Sequence, residues 1–429
     1  MSASAEQQKG FYGWWISIAA FFTFGLAVGI PYYGMGFYYD YYQKAFGWTR
    51  PEMTLGFPLA VILTLWVGPT VMHRFSPRKL MMIGVALTAL AFIGFSKMTG
   101  SLTFYYGMWT LYTIGYILSG PIPHQIIISQ WFKRSRGKAM AATYLGVGVF
   151  GGLVVKYFAA PITAATNFQD ALFWTGCAVL LVLPIAFFVL KDKPSDIGQH
   201  PDGIPVLASE EPPPSRSISD LLGKRAFWLL MVGSLCSIGS IGSINFHMKL
   251  VFKEQGFTDQ KVLDGVFGNA NMLILFSSIG GRIVMGYLAD RFNKKYVMVA
   301  TYFLVASTIP LLFLVRPESP EYVYIFAILF GFGMGADYML IPLMAAEQFG
   351  VNSLARAMAI ILPADTIGQT WFPYLVSHIR ESAGSYNVAL NIVFAMAALG
   401  AAAIFLLPSH GKKDEALLVQ DAGSAKAGR

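Results

Sequence analysis

The chain has 429 residues, 55% hydrophobic and only 13% charged, with a net charge of +8 and a mean hydropathy of +0.55. A soluble globular chain carries about 25% charged residues, so this composition excludes the usual soluble classes. The surplus of Lys and Arg does not point to nucleic acid, because it is gathered in short loops between apolar runs, the pattern of membrane topology.

The apolar runs recur along the whole length. Each is long enough to cross a hydrocarbon core of about 30 Å as a helix, and in lipid the backbone must satisfy its hydrogen bonds within the segment. The two-residue alternation of barrel strands is absent. The expected fold is an all-α membrane protein with twelve transmembrane helices in two pseudo-symmetric six-helix halves. The first eleven residues are polar, and the run after them is too long for a signal-peptide core, so the N-terminus is expected to be retained.

The first half (1–190) holds predicted spans at 12–38, 53–73, 79–98, 102–131, 138–160 and 170–190. The run 30–48 carries six tyrosines. Those from Tyr38 to Tyr42 are expected in the aromatic belt at the membrane surface, while Tyr32 and Tyr33 lie deeper and can line a cavity. In the fourth span Pro121 and Pro123 flank His124 and are expected to loosen the helix. "GVGVFG" (146–151) spells G-x-G-x-x-G, but inside a membrane helix with no preceding strand it reads as close helix packing. Cys177 and Cys236 both lie in apolar runs and read as small core residues.

Residues 191–225, rich in Pro, Ser and charge, read as a flexible cytoplasmic linker. The second half (226–407) holds spans at 226–250, 262–290, 296–315, 321–349, 356–380 and 386–407, followed by a short cytoplasmic tail (408–429). Loops after even-numbered spans are rich in Lys and Arg, whereas those on the other side mix signs. The positive-inside rule therefore puts both termini and the linker in the cytoplasm, with the plasma (inner) membrane as the expected location.

"GYLADRFNKK" (286–295) and "PTVMHRFSPRKL" (69–80) occupy matching places in the two halves. They resemble the loop signature of the major facilitator superfamily, G-x-x-x-D-R-x-G-R-K. The second copy matches through Gly286, Asp290 and Arg291, with Lys294 and Lys295 beyond. In the first, His73 replaces the Asp and Pro69 the Gly. "QWFKRSRGKAMAATYLGVG" (130–148) looks like the fifth-span signature of the monocarboxylate transporter family, and "FYGWW" (11–15) resembles that family's motif before the first span. "NFHMKLVFKEQGF" (245–257) and "AAEQFGVNSLARAM" (345–358) are similar to bacterial members, including the oxalate–formate exchanger branch. The resemblance implies a rocker-switch carrier of small carboxylates, with a proton cotransported in many relatives and anions exchanged in that branch.

Arg282 lies eight residues before Asp290, about 12 Å deep. A cation there needs a cavity and a partner, and the guanidinium fork fits a carboxylate bidentately. Its spacing to Gly286 resembles the family's substrate arginine. A structural ion pair is the alternative, with Asp337 a candidate partner. Tyr338 resembles a substrate-contacting tyrosine. Asp365 lies about 13 Å beyond Arg356, where the oxalate–formate branch carries a lysine. That implies one net cation fewer, hence a monoanion or a proton-coupled substrate. The family's first-span lysine and eighth-span aspartate are replaced by Tyr32 and Ser278. If a proton is carried, Asp337, Asp365, His247 or His124 must carry it; the bland alternative for each histidine is a satisfied core residue.

The expected function is proton-linked transport of a small organic monocarboxylate. Arg282, Tyr338, Tyr32, Tyr33 and His124 would bind substrate, and Asp365, Asp337 and His247 would serve coupling. Anion exchange without a proton and a transporter-like sensor are the alternatives. No cofactor, metal, nucleic acid or enzymatic motif is expected. The partners are the carboxylate, a proton and the lipid bilayer, with the monomer as the functional unit.

Overall fold

The computed structural model describes residues 10–64, 66–67, 71, 75–132, 135–203, 218–350 and 353–408. It is built from helices: α1 Gly13–Phe37, α2 Gly56–Thr64, α3 Pro77–Ser96, α4 Leu102–Ser119 continuing as Pro121–Trp131, α5 Lys138–Ala165, α6 Phe168–Phe188, α7 Arg225–Glu254, α8 Gln260–Arg291, α9 Lys294–Phe313, α10 Glu321–Phe349, α11 Leu354–Ala383 and α12 Tyr386–Phe405. Among the described residues nine of these are long and apolar enough to cross a membrane. The other three, α2, α4 and α11, fall on the remaining predicted spans.

Polar caps fix where the helices begin. Ser76, Ser101, Asn167, Asp259, Asn293 and Ser385 each accept a hydrogen bond from a backbone N–H of the first turn, supplying partners that the helix start lacks. The expected break in α4 is present. Gly120 leaves helical geometry and Pro121 restarts the helix at its first position, where a missing N–H costs nothing. Wider π-turns interrupt α1 at Gly25–Gly29 and α5 at Val155–Ala159.

α1 packs on α5, α3 on α4 and α6, and α2 on α4. In the second half α7 packs on α11 and α12, α8 on α10, and α9 on α10 and α12. The halves meet through α5 with α8 and α2 with α11. Small residues let backbones touch, as lipid-embedded helices require. A Cβ on Gly146 would lie 1.9 Å from the Phe21 carbonyl oxygen in α1, and one on Gly242 would lie 2.6 Å from the Gln369 oxygen in α11. The α1–α5 and α7–α11 contacts thus repeat one solution in both halves, and "GVGVFG" is a packing motif.

Two expectations change. Tyr38, Tyr39 and Tyr42 are at most 1% exposed and belong to the core, not to a surface belt. The chain turns at Tyr38 into a short helix, Tyr39–Phe46. Tyr42 there packs against Trp48, Tyr105 and Phe168. The start of the linker is also anchored. The Gln199 side chain accepts from Tyr12 N–H at 3.0 Å and donates to the Gly10 carbonyl, while Asp202 accepts from Ser135 N–H. Asp202 has a left-handed backbone, φ 55°, which aspartate tolerates better than most residues. Residues 204–217 and 409–429 lie outside the described residues.

The α8–α10 pair gives a contrast between two glycines, one at the close approach and one away from it. A Cβ on Gly335 would lie 1.9 Å from the Ser278 carbonyl oxygen, whereas one on Gly280 would meet nothing within 4 Å. Gly335→Ala is expected to destabilise by about 1–3 kcal/mol and Gly280→Ala to be near neutral. Thermal unfolding of the purified variants in detergent checks this, and equal melting temperatures would contradict the packing.

Candidate functional site

The two stretches that open α1 and α5 meet. Phe11 packs edge-on to Phe132 at 5.6 Å and lies 6.0 Å from Trp131; Trp14 lies 5.1 Å from Phe132. Tyr12 donates its hydroxyl proton to the Val189 carbonyl at 3.0 Å. These aromatic motifs clamp the ends of α1, α4 and α6 rather than contact a cavity.

Arg282 is carried by α8 against α10. Its Nε donates to the Gly335 carbonyl at 3.1 Å, while Nη1 is buried with no hydrogen-bond partner. Among the described residues it has no ion pair, so Asp337 is not its partner. Its titratable neighbours are Tyr33 of α1 and Tyr144 of α5, so the guanidinium faces the first half across the interface. Tyr338 is densely surrounded by protein yet 39% exposed, as expected of a side chain lining an internal cavity. Its neighbours are Tyr116, Tyr33, Asp365 and Asp337, which places it between the Arg282 side and the two carboxylates. Tyr32 is buried and packs edge-on to Tyr33 at 5.0 Å and to Phe246 at 5.6 Å. Tyr32, Tyr33, Gly36, Asn245, Phe246 and Asn271 close round a small void toward the end of the protein away from the chain termini.

Asp337 and Asp365 sit deeper in the second half. The Ser237 hydroxyl of α7 donates to Asp337 Oδ2 at 2.5 Å, and Tyr302 of α9 faces the same carboxylate. Asp365 is 2% exposed, and neither of its oxygens has a hydrogen-bond partner. The nearby Ser234 hydroxyl donates instead to the Met231 carbonyl at 3.1 Å. The cluster therefore brings together two carboxylates, two serines and a phenol, with no cation paired to either acid among the described residues.

The histidines are occupied. His124 engages Thr23 Oγ1 at 2.9 Å and the Gly120 carbonyl at 2.8 Å, with its ring 4.7 Å from Phe24. His247 engages the Tyr386 hydroxyl and the Pro373 carbonyl, each at 2.7 Å. Every ring nitrogen thus has a protein partner, and the satisfied-core alternative describes both.

In the loop motif, Gly286 lies beside Met339, and the Arg291 guanidinium stacks 4.3 Å from the Tyr287 ring. Lys294 pairs with Glu347 of α10 at 3.1 Å. In the first half Arg78, at the place of Lys295, donates from Nε to the Ala186 carbonyl at 2.8 Å, tying α3 to α6. The side chain of Asp290, and residues Pro69 and His73, lie outside the described residues.

Sequence reasoning missed Tyr116, Tyr144, Ser237 and Tyr302, which carry no charge and sit at ordinary helical positions. It also missed Lys249, which lay inside a predicted span and was visible as an intramembrane cation.

The fold is that of a multi-pass membrane protein. The sequence pattern of the Major Facilitator Superfamily matches residues 16–284 and 264–426, and the chain belongs to that superfamily. Monocarboxylate transporter 13 of Bos taurus is 22% identical over 416 residues, 95% of this chain and 92% of that protein. The MFS transporter asaE of Aspergillus flavus is 24% identical over 269 residues, and the match spans 61% of this chain and about half, 55%, of that relative. The structure of a bacterial homologue of the human lysosomal transporter Spinster, in an inward-facing and unoccupied conformation, shares the fold with a TM-score of 0.65 at 13% identity, covering 93% of this chain and 95% of that one. Members of the superfamily are transporters of small molecules, not enzymes.

The unpartnered donor on Arg282 has a consequence for stability. A buried, unsatisfied charged group costs at least about 1–3 kcal/mol. Arg282→Met fills similar volume without that cost. The ligand-free variant is expected to melt a few degrees higher. A lower melting temperature in the absence of any carboxylate would show that the guanidinium is satisfied within the protein.

Proposed function

We propose that this chain moves a small organic monocarboxylate, together with a proton, by rocking two six-helix halves about a central site. The observation that carries the reading is Arg282, an arginine in a membrane helix with a buried, unpartnered donor facing phenols of the other half. An anion completes such a group, and the planar fork suits a carboxylate. Tyr33, Tyr144 and Tyr338 can donate to the same anion while their rings exclude water. The near full-length similarity to a monocarboxylate transporter supports the substrate class. The positive-inside loops support cytoplasmic termini in the plasma (inner) membrane.

Asp365 supplies the coupling. Among the described residues no cation pairs with Asp365, so a proton can neutralise it when an anion enters. With Asp365 ionised, the field of Arg282 is offset and an anion gains little on entering. With it protonated, Arg282 is unopposed. Anion and proton therefore raise each other's affinity by the same factor. Asp337, held by Ser237, is the second acid of the relay. The unpartnered acid favours symport over exchange: an anion exchanger gains from a second cation there, not from a carboxylate.

Uptake of acetate, pyruvate, lactate and oxalate into proteoliposomes, with and without a pH gradient, tests both roles. Asp365→Asn is expected to keep counterflow yet lose accumulation driven by the gradient, and Asp365→Lys to shift preference toward oxalate. Arg282→Lys keeps the charge but not the fork, and is expected to lose at least about tenfold in uptake. Wild-type accumulation by Asp365→Asn would remove that residue from coupling, and wild-type uptake by Arg282→Lys would remove Arg282 from the site.

A further inference from the structure

The end of the protein away from the chain termini is closed by a buried charge cluster separate from the carboxylate site. Lys249 of α7 is 0% exposed in its side chain. Its Nζ lies 2.7 Å from Asp40, 2.7 Å from Asp264 and 2.7 Å from the Phe37 carbonyl. The ammonium thus lies between two carboxylates and donates to a backbone carbonyl. It also lies 3.8 Å from the centre of the Phe37 ring and 4.5 Å from that of Tyr41.

The partners divide unevenly between the halves. Asp264 opens α8, next to α7, and moves with Lys249. Asp40, the Phe37 carbonyl and both rings belong to the first half. When the halves part at this end, Lys249 keeps a carboxylate and loses everything else. The hydrogen bonds around it cross the same gap. Gln260 donates to Asp40 at 2.7 Å, Tyr41 donates to Asp264, Lys44 donates to Gln260, and Lys253 reaches Gln43 at 3.5 Å. A second contact closes the gap between the short helix Arg50–Thr54, just before α2, and α11. The Thr54 and Ser377 hydroxyls lie 2.7 Å apart, and Arg50 pairs with Glu381 at 3.2 Å.

A buried ion pair gains little over well-packed apolar groups, while stripping one partner from it is costly. Its best-attested use is to specify one arrangement against another. Here the crossing bond is the part that a rocking motion must break. We propose that Asp40 and Lys249 form the latch of this end of the carrier: a bond made across the halves in the closed arrangement and broken in the open one, with Asp264 holding Lys249 paired in both. The two residues act by setting which end is open and do not contact substrate. This assignment does not depend on the substrate or on proton coupling.

The test uses the purified full-length protein with Cys177 and Cys236 replaced and Ser377→Cys as reporter. Ser377 is 0% exposed, sits on the second contact across the gap, and is replaced almost isosterically. The rate of maleimide labelling in detergent reports opening without any ligand. Asp40→Asn is expected to speed labelling at least tenfold. Asp264→Asn leaves the crossing bond in place and is expected to stay within about threefold of the parent. The exchange Asp40→Lys with Lys249→Asp again sets one cation between two carboxylates and is expected to return the rate toward the parent value. Unchanged labelling in Asp40→Asn overturns the latch. So does an Asp264→Asn rate equal to that of Asp40→Asn. Faster labelling that the exchange does not reverse also overturns it, since that would make Asp40 a packing residue. Size-exclusion profiles and circular dichroism matching the parent confirm that each variant is folded.

Discussion

An arginine does not readily give up its proton inside a protein, so α8 holds a fixed positive charge within the membrane. The rest of the site is arranged around that fact. The Gly335 carbonyl meets part of the charge. Phenols from α1 and α5 face the remainder without neutralising it, since a phenol is a hydrogen-bond donor and not an anion at neutral pH. The acids lie beside Tyr338 and form no ion pair with the guanidinium among the described residues. A direct Arg282–Asp337 bridge would have satisfied the arginine permanently and left nothing for a ligand to do.

Packing makes this arrangement possible. Arg282 reaches the Gly335 backbone because α8 and α10 approach at carbonyl distance, and they do so only where no Cβ intervenes. The same use of glycine brings α1 onto α5, which delivers Tyr33 and Tyr144 to the opposite wall. Two rigid glycine-packed walls meeting at a polar face can rock without repacking their interiors.

Much of this was legible in the sequence. The all-helical membrane architecture and the place of Arg282 in a membrane helix follow from hydropathy and the cost of a cation in lipid, which are local and strong signals. The break in α4 followed from two prolines. Tyr38, Tyr39 and Tyr42 misled, because a tyrosine near a membrane surface reads the same whether it faces lipid or the core, and only the turn after Phe37 decides between them. The anchored residues 191–203 misled in a similar way: Pro-, Ser- and charge-rich composition describes chain stiffness and solvation, not the specific bonds of Gln199 and Asp202. His124 and His247 could be judged only from their partners. Tyr116, Tyr144 and Tyr302 were invisible because neutral residues at ordinary helical spacing carry no signal until the helices are assembled.

On the proposed reading, the anion on Arg282 and the proton on Asp365 bind as one linked event. Calorimetric titration of the purified carrier with whichever of acetate, pyruvate and lactate binds, repeated in buffers of different ionisation enthalpy, measures protons exchanged on binding. Net proton uptake by the wild type near neutral pH, abolished in Asp365→Asn while binding persists, is the predicted result. Binding that takes up no proton in the wild type, or the same uptake in Asp365→Asn, would contradict it.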